Sequence, residues 1–520
     1  MTRPEMIRRG LARRQPWDMI IVGGGATGAG VAVDAAARGY AVLLLEQHDF
    51  GKGTSSRSTK LVHGGVRYLE QGNIALVMEA LKERGLLRQN APHLVRDLAF
   101  VVPSYTWWES PFYGLGLKIY NLLSGQYRFG PTQRLTREDI LQRLPTIRTE
   151  GLRGGVVYYD GQFDDARLLI NLLATAAEHG AVVLNYVKVT GLMRDADGFI
   201  DGVVAEDQET GQEMRAAGRV VINAAGAFCD HVRRLAEPQA PALIAPSQGI
   251  HLVFDRSFLP GDSAVMVPHT DDGRVMFAIP WHGHTLVGTT DLAVEDTPLE
   301  PRPTPGEIDF ILDTAARYLQ RPPARADILS AFAGIRPLVR AGSGGNTAAL
   351  SRDHTIHIDN SGLLTITGGK WTTYRNMAED CVNQAATLAQ LEEQPCVTRH
   401  LRIHGFDEDA DRHDALAVYG SDAPAIAELA RGQPDLGRRL HDDLPTIAAE
   451  VVWAARSEMA RTVEDVLARR TRALFLNARA ALAMAPQVAR LMAREMDKER
   501  RWEDHQVGAF MELAQGYVVS

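Results

Sequence analysis

The stretch TSSRSTKLVHGGVRYLE, residues 54–70, sets the hydroxyls of Thr54, Ser55, Ser56, Ser58 and Thr59 among Arg57 and Lys60, then adds a His63-Gly64-Gly65 turn and an Arg67-Tyr68 pair. Runs of this kind are usually solvated loops. Here Leu61, Val62, Val66 and Leu69 are interleaved with the polar groups, so one side of the segment is suited to packing. The segment starts eight residues after Glu46, an acid placed to accept from a ribose hydroxyl. Side-chain and main-chain donors at Thr54, Ser55, Ser56, Thr59, Lys60, Leu61, His63, Gly64 and Gly65 are what an extended, anionic cofactor requires. The chemistry implied is the binding of a dinucleotide.

Positioning such donors requires a strand, a turn and a helix in fixed order, and the chain supplies them just upstream. The run WDMIIVGGGATGAGVAVDAAARGYAVLLLEQ reads as an apolar strand to Val22, a glycine turn, a helix from Ala26 to Arg38 and a second strand ending at Glu46. Gly23, Gly25 and Gly28 have the G-x-G-x-x-G spacing, so Gly25, Ala26 and Thr27 can offer main-chain N–H groups to a pyrophosphate at the positive end of the helix. Glu46 lies eighteen residues beyond Gly28, close to the ~20 of a ribose-binding acid. Two later strands also end in small residues. GRVVINAAGAF stops at Ala225-Gly226, and GLLTITGGKWTTYRNMAED runs into Gly368-Gly369 and then Lys370, Trp371 and Thr372. The second provides another helix start, suited to the negative charge that reduction places on the far, flavin end of FAD. NAD alone would leave these later turns without a task.

A chain of 520 residues with 45% apolar content builds two or three domains. The net charge of −8, without a long basic block, gives no reason to expect nucleic acid. Cys229, Cys381 and Cys396 have no disulfide or metal spacing, and the His282/His284 and His354/His357 pairs lack completing ligands, so no metal site is expected. The fold class predicted is α/β (α+β). A Rossmann-like FAD-binding domain is expected over 17–65, 150–245 and 336–388, with a substrate domain over 66–149 and 246–335. A helical domain follows over 389–520, and 1–16 form either a basic surface arm or, by the commoner behaviour of termini, a disordered tail. The alternating pattern of 246–335 predicts an antiparallel sheet. No stretch has the ~20 apolar residues of a spanning helix. The segment SYTWWESPFYGLGLKIYNLLSGQY, 104–127, is rich in aromatics, and Phe112, Leu115, Ile119 and Leu122 or Leu123 mark one helical face. It is either a core helix or one that lies on a membrane surface.

These motifs, with GIRPL, SRDHTI and TGGKWTTYRNMAED, resemble the FAD-dependent glycerol-3-phosphate dehydrogenases of the respiratory, quinone-linked type over nearly the whole chain. Departures are Ala227-Phe228, where the family often has Pro-Trp, and a longer basic arm. The resemblance implies oxidation of glycerol 3-phosphate to dihydroxyacetone phosphate on noncovalent FAD, with electrons passed to a membrane quinone. It further implies a cytoplasmic enzyme peripherally attached to the inner face of the cell membrane, with a homodimer as one form it could take. Arg67, Tyr68, Arg352 and Lys370 match substrate-binding positions; arginine suits bidentate contact with phosphate. Arg336 matches an arginine beside the reacting oxygen, and His251 a candidate base with an ordinary imidazole pKa near 6.5. Val187 and Asp291 join the cofactor contacts. The rival expectations are an FAD-dependent amine or amino-acid oxidase, an oxygen-using α-glycerophosphate oxidase, and a non-catalytic flavin-binding protein.

Overall fold

The structure, a computed structural model, describes residues 1–66, 69, 72–268, 270, 273–340, 354–410 and 414–519. The apolar runs of the first motif pair as a parallel sheet. Trp17–Val22 lies between Val42–Leu45 and Glu213–Asn223, with Val182–Leu184 and Leu364–Gly368 beyond them. His354–Ile358 closes one edge antiparallel. The helices Ala26–Ala37, Asp165–Glu178 and Tyr374–Leu388 share one core with this sheet. Burial of Ile20, Ile21, Leu44, Val183 and Ile222 in that core explains why these strands read as unbroken apolar runs.

Among the described residues the second sheet has ten strands and is largely antiparallel. Its long ladder joins Ile244–Asp255 to Ile328–Val339, with His284–Gly288, Met276–Trp281, Ser263–Val267, Val95–Ser104 and Gly154–Phe163 continuing outward. Successive side chains alternate between faces. Val265, Val267, Leu252 and Phe254 enter a core with the helix Pro305–Ala316, whereas Ala264, Met266, Val253 and Phe332 enter a core shared with the C-terminal helices. Two strands lie wholly outside the expected boundaries, and Ile244–Asp255 and Ile328–Val339, the latter with Arg336, overrun them by a few residues. Leu61–Val62 and Gly154–Phe163 fall in ranges assigned to the cofactor domain but pair with each other in this second sheet. Covalent continuity with the first sheet did not fix their hydrogen-bonding partner.

The C-terminal helices Ala448–Ser457, Ala478–Glu495 and Arg500–Gln515 dock through Phe475, whose ring meets Phe332 edge-on at 4.7 Å. Buried ion pairs fix the docking. Asp49 receives Arg469 Nε at 2.5 Å and Arg470 Nη1 and Nη2 at 2.7 and 2.9 Å. Arg167 binds Glu458 through two bonds of 2.8 and 2.6 Å. Such pairs cost desolvation and return orientation.

The N-terminal arm is not a tail. Arg3–Ala12 is a helix with Met6 and Arg3 buried. Arg3 donates to Asp207 at 2.8 Å, Arg9 to the Gly180 carbonyl at 2.9 Å, and the terminal ammonium to the Ser457 carbonyl at 3.1 Å. Its acceptors lie far along the chain, so a local charge pattern could not reveal them.

Candidate functional site

The two sheets meet at a cavity of about 850 Å³. At one end stands the start of the helix Ala26–Ala37. A methyl on Gly28 would lie 1.9 Å from the Gly23 carbonyl oxygen, so only glycine lets the helix begin this close to the strand. Glu46 accepts from the Gly24 N–H at 2.7 Å and the His48 N–H at 2.9 Å. Burial raises its pKa and these two donors oppose the rise. Each carboxylate oxygen retains a lone pair for a ribose. Ser55 Oγ accepts from the Ala26 N–H at 2.9 Å, which joins the hydroxyl-rich segment to the helix start. The Ser55 carbonyl accepts from Trp371 Nε1 at 2.9 Å, and the His63 N–H donates to Thr372 Oγ1 at 3.1 Å. Three distant motifs thus form one wall. His48, also in the wall, has its pKa pulled down to about 4 by burial and Lys52.

The far end is floored by the ladder of the second sheet. Ser247, Gly249 and His251 stand opposite Arg336, Gly334 and Phe332 in register, so all six share one face. The two glycines clear it. A methyl on Gly249 would lie 2.2 Å from the Arg336 guanidinium, and one on Gly334 would lie 3.0 Å from the Arg57 side chain. Arg336 donates to Thr289 Oγ1 and the Thr290 carbonyl, both at 3.0 Å, and to the Gln248 carbonyl at 3.3 Å. Asp291 lies 3.7 Å from Arg336, pairs with Arg274 at 2.9 Å and accepts from Ser247 Oγ. His251 is 2% exposed, stacks on Phe332 at 5.0 Å and holds Thr59 Oγ1 at 2.9 Å from Nε2. Burial, then Lys60, then Arg336 drive its pKa well below the ordinary value. Phe100, Tyr158, Met266 and Phe277 line an apolar side of the cavity.

Among the described candidates, His251, Arg336, Lys370 and all the cofactor candidates except Gly28, Ser56, Lys60 and Gly64 line this cavity. Arg67, Tyr68 and Arg352 lie outside the described residues. The four exceptions sit behind the wall. Gly28 acts through helix packing, and the Gly64 N–H donates to the Tyr120 hydroxyl at 2.7 Å. The Ser56 carbonyl accepts from Lys60 Nζ at 2.8 Å and Arg472 Nη2 at 2.8 Å. Lys60 is fully buried, and its ammonium is taken by Asp165 at 2.6 Å. Burial pulls its pKa down to about 7 against the attraction of Asp165. Expected as a donor to the cofactor, its side chain instead turns away from the cavity, because the interior carboxylate claims it. Sequence reasoning missed Arg274 and Arg57, which also line the cavity. Arg57 stood inside the donor-rich run, bonded to Glu300 at 2.8 Å and the Ala333 carbonyl at 3.1 Å. Arg274 had no local signal.

A long cavity with a helix start and a free-lone-pair acid at one end, and the sheet face that carries Arg336 and His251 at the other, fits FAD. Residues 18–375 match the FAD dependent oxidoreductase family, and residues 363–506 match the C-terminal domain of alpha-glycerophosphate oxidase. The mitochondrial glycerol-3-phosphate dehydrogenase of Arabidopsis thaliana is 41% identical over 94% of this chain and 85% of its own. That of Homo sapiens is 38% identical over 98% and 74%. The crystal structure of the glycerol-3-phosphate dehydrogenase from Bacillus halodurans complexed with FAD superposes with a TM-score of 0.80 at 30% identity, covering 99% of this chain and 98% of that one. The L-alpha-glycerophosphate oxidase of Mycoplasma pneumoniae shares the fold, with a TM-score of 0.57 at 18% identity over 74% of this chain and 98% of its own. The chain belongs to the FAD-dependent glycerol-3-phosphate dehydrogenases.

Proposed function

We propose that the protein oxidises the C2 hydroxyl of glycerol 3-phosphate to the ketone of dihydroxyacetone phosphate and passes the electrons to a membrane quinone at a lipid surface. One observation carries the reading. An imidazole, His251, and a guanidinium, Arg336, share one sheet face in the same cavity as the cofactor-binding helix start and Lys370. FAD, held noncovalently, supplies the hydride acceptor. Glu46 and the helix start anchor the dinucleotide, while Gly368 and Gly369 approach its far end. Lys370, with Arg67, Tyr68 and Arg352, binds the phosphate dianion. Arg336 stabilises negative charge developing on the reacting oxygen without reorganising. His251 takes up the hydroxyl proton.

The acceptor reading is supported by the helix Glu109–Leu123. Tyr113, Gly114, Leu117 and Tyr120 are buried against the protein, while Trp108, Phe112, Leu115, Ile119 and Leu122, with neighbouring Trp107, are exposed. An apolar patch of this size carries an unfavourable contact with water, which insertion into a bilayer interface relieves. Among the described residues no helix is long and apolar enough to cross a membrane. Attachment in this reading is peripheral, through this patch and on the cytoplasmic side. Self-association through the same face, giving a homodimer, is the competing use of the patch.

Anaerobic addition of glycerol 3-phosphate should bleach the yellow enzyme, and a short-chain quinone should restore the colour faster than air. Persistent yellow colour would remove the catalytic reading. Reoxidation by oxygen as fast as by quinone would remove the acceptor and assign an oxidase.

A further inference from the structure

Neither nitrogen of His251 opens freely into the cavity. Nε2 is 2.9 Å from Thr59 Oγ1, and Nδ1 is buried with no hydrogen-bond partner among the described residues. The ring is 2% exposed and flanked by Phe332. Thr59, by contrast, is only half buried and itself lines the cavity. Of the two hydrogen-bonded side chains, the threonine is thus the more exposed to the cavity.

Thr59 is held in place by its neighbours. Ser58 donates to Asp165 Oδ2 through its N–H at 3.1 Å and its hydroxyl at 2.7 Å, and Lys60 Nζ donates to the same oxygen at 2.6 Å. Arg472 Nη2 reaches Asp165 Oδ1 at 3.1 Å. Residues on both sides of Thr59 are thus pinned to one buried carboxylate at the start of the helix Asp165–Glu178. Preorganisation of this kind lets a relay act without reordering.

We propose that Thr59 is a catalytic residue, the hydroxyl relay between substrate and His251. With His251 as the Nδ1–H tautomer, Thr59 Oγ1 donates to Nε2 and keeps its lone pairs for the substrate O–H. As the C2–H bond breaks and its electron pair leaves to the flavin, the hydroxyl proton passes to Thr59 Oγ1 and the threonine proton passes to Nε2. The C2–O bond becomes the ketone, the threonine is regenerated and His251 ends as imidazolium. The two electrons reside on the flavin and the proton on the imidazole, so the step balances. This proposal rests on the reading of His251 as the base.

The test compares Thr59→Val, Thr59→Ser and His251→Ala in the FAD-loaded enzyme, with anaerobic reduction rates taken per bound flavin. Valine keeps the side-chain shape and removes the hydroxyl, so reduction should slow about 100-fold or more, in the range of a lost proton-transfer group. Serine should restore most of the rate. Calorimetric binding of dihydroxyacetone phosphate to the oxidised Thr59→Val enzyme should remain within a few-fold of the parent, because a relay acts on the proton and not on the phosphate. The parent's reduction rate in mixtures of H2O and D2O should bow below a straight line, since two exchangeable protons move together. A slow His251→Ala enzyme beside a Thr59→Val enzyme as fast as the parent would overturn the relay and leave the base intact. An unimpaired His251→Ala enzyme would overturn the base and, with it, the relay. A Thr59→Ser enzyme as slow as Thr59→Val, or product binding lost in parallel with rate, would make Thr59 a packing residue.

Discussion

Trp108→Ser combined with Phe112→Ser should release the protein from lipid without touching its chemistry. Trp108 is 46% exposed and Phe112 55% exposed, so about half of each ring is available for burial in a bilayer. Full burial of a large apolar side chain contributes about 1.5–3 kcal/mol, which leaves roughly 1 kcal/mol per ring and about 2 kcal/mol for the pair. At 1.4 kcal/mol per tenfold, partition to vesicles should weaken about 30-fold. The assay is co-sedimentation with anionic liposomes at low and high salt. Binding by the parent should fall with salt as screening removes the contribution of exposed Lys118 and Arg128, and the apolar part should persist. The N-terminal arm adds less charge than its sequence promises, because Arg3 is buried and paired with Asp207. Neither Trp108 nor Phe112 lines the cavity, so bleaching by glycerol 3-phosphate should be unaffected. A double variant that sediments as the parent does would show that this face is not the lipid contact. One that loses bleaching would show that the helix supports the site itself.

Asp49→Asn leaves two buried guanidinium groups facing a neutral amide, and loss of one partner of such a cluster costs about 3–5 kcal/mol, readable as a lowered unfolding temperature. Burial alone would raise the Asp49 pKa, but Arg470 and Arg469 hold it well below the usual range; its contribution is therefore present above the unfolded value near 3.9 and lost as pH falls toward the folded one. Acid unfolding of the parent should show that loss, and the variant should not. His404 works in the opposite direction: its hydrogen bonds to Asp422 and Glu178 raise its pKa to about 9, so its contribution is full below about 6.5 and fades as pH rises through 9. Stability measured by denaturant between these values should decline in the parent and stay flatter in His404→Gln. Gly28→Ala puts a methyl 1.9 Å from the Gly23 carbonyl oxygen, and since that oxygen is backbone it cannot swing aside; the purified variant should lack flavin absorbance, and a full complement of FAD would contradict the packing argument.

The sequence by itself determined the dinucleotide end of the site. Gly23, Gly25, Gly28 and Glu46 belong to one strand, turn, helix and strand, and the covalent spacing of such a unit dictates where its N–H groups and its carboxylate point. The glycine turns at Gly226 and Gly368-Gly369 were legible for the same reason, as was the apolar face of 112–122, because helical period is local. The substrate end was different. His251 and Arg336 come to one face only through the register that sets Gly249 opposite Gly334, and register is a relation between strands about eighty-five residues apart. Arg274 entered the cavity, and Lys60 left it, according to whether Asp291 or Asp165 stood nearby. The basic arm became a docked helix because Asp207 and the Gly180 carbonyl waited for Arg3 and Arg9. A charged side chain does not announce its partner in its own neighbourhood. It pairs with whichever opposite charge the packed chain brings within hydrogen-bonding distance in a dry interior, where leaving it alone would cost more than any local preference could supply.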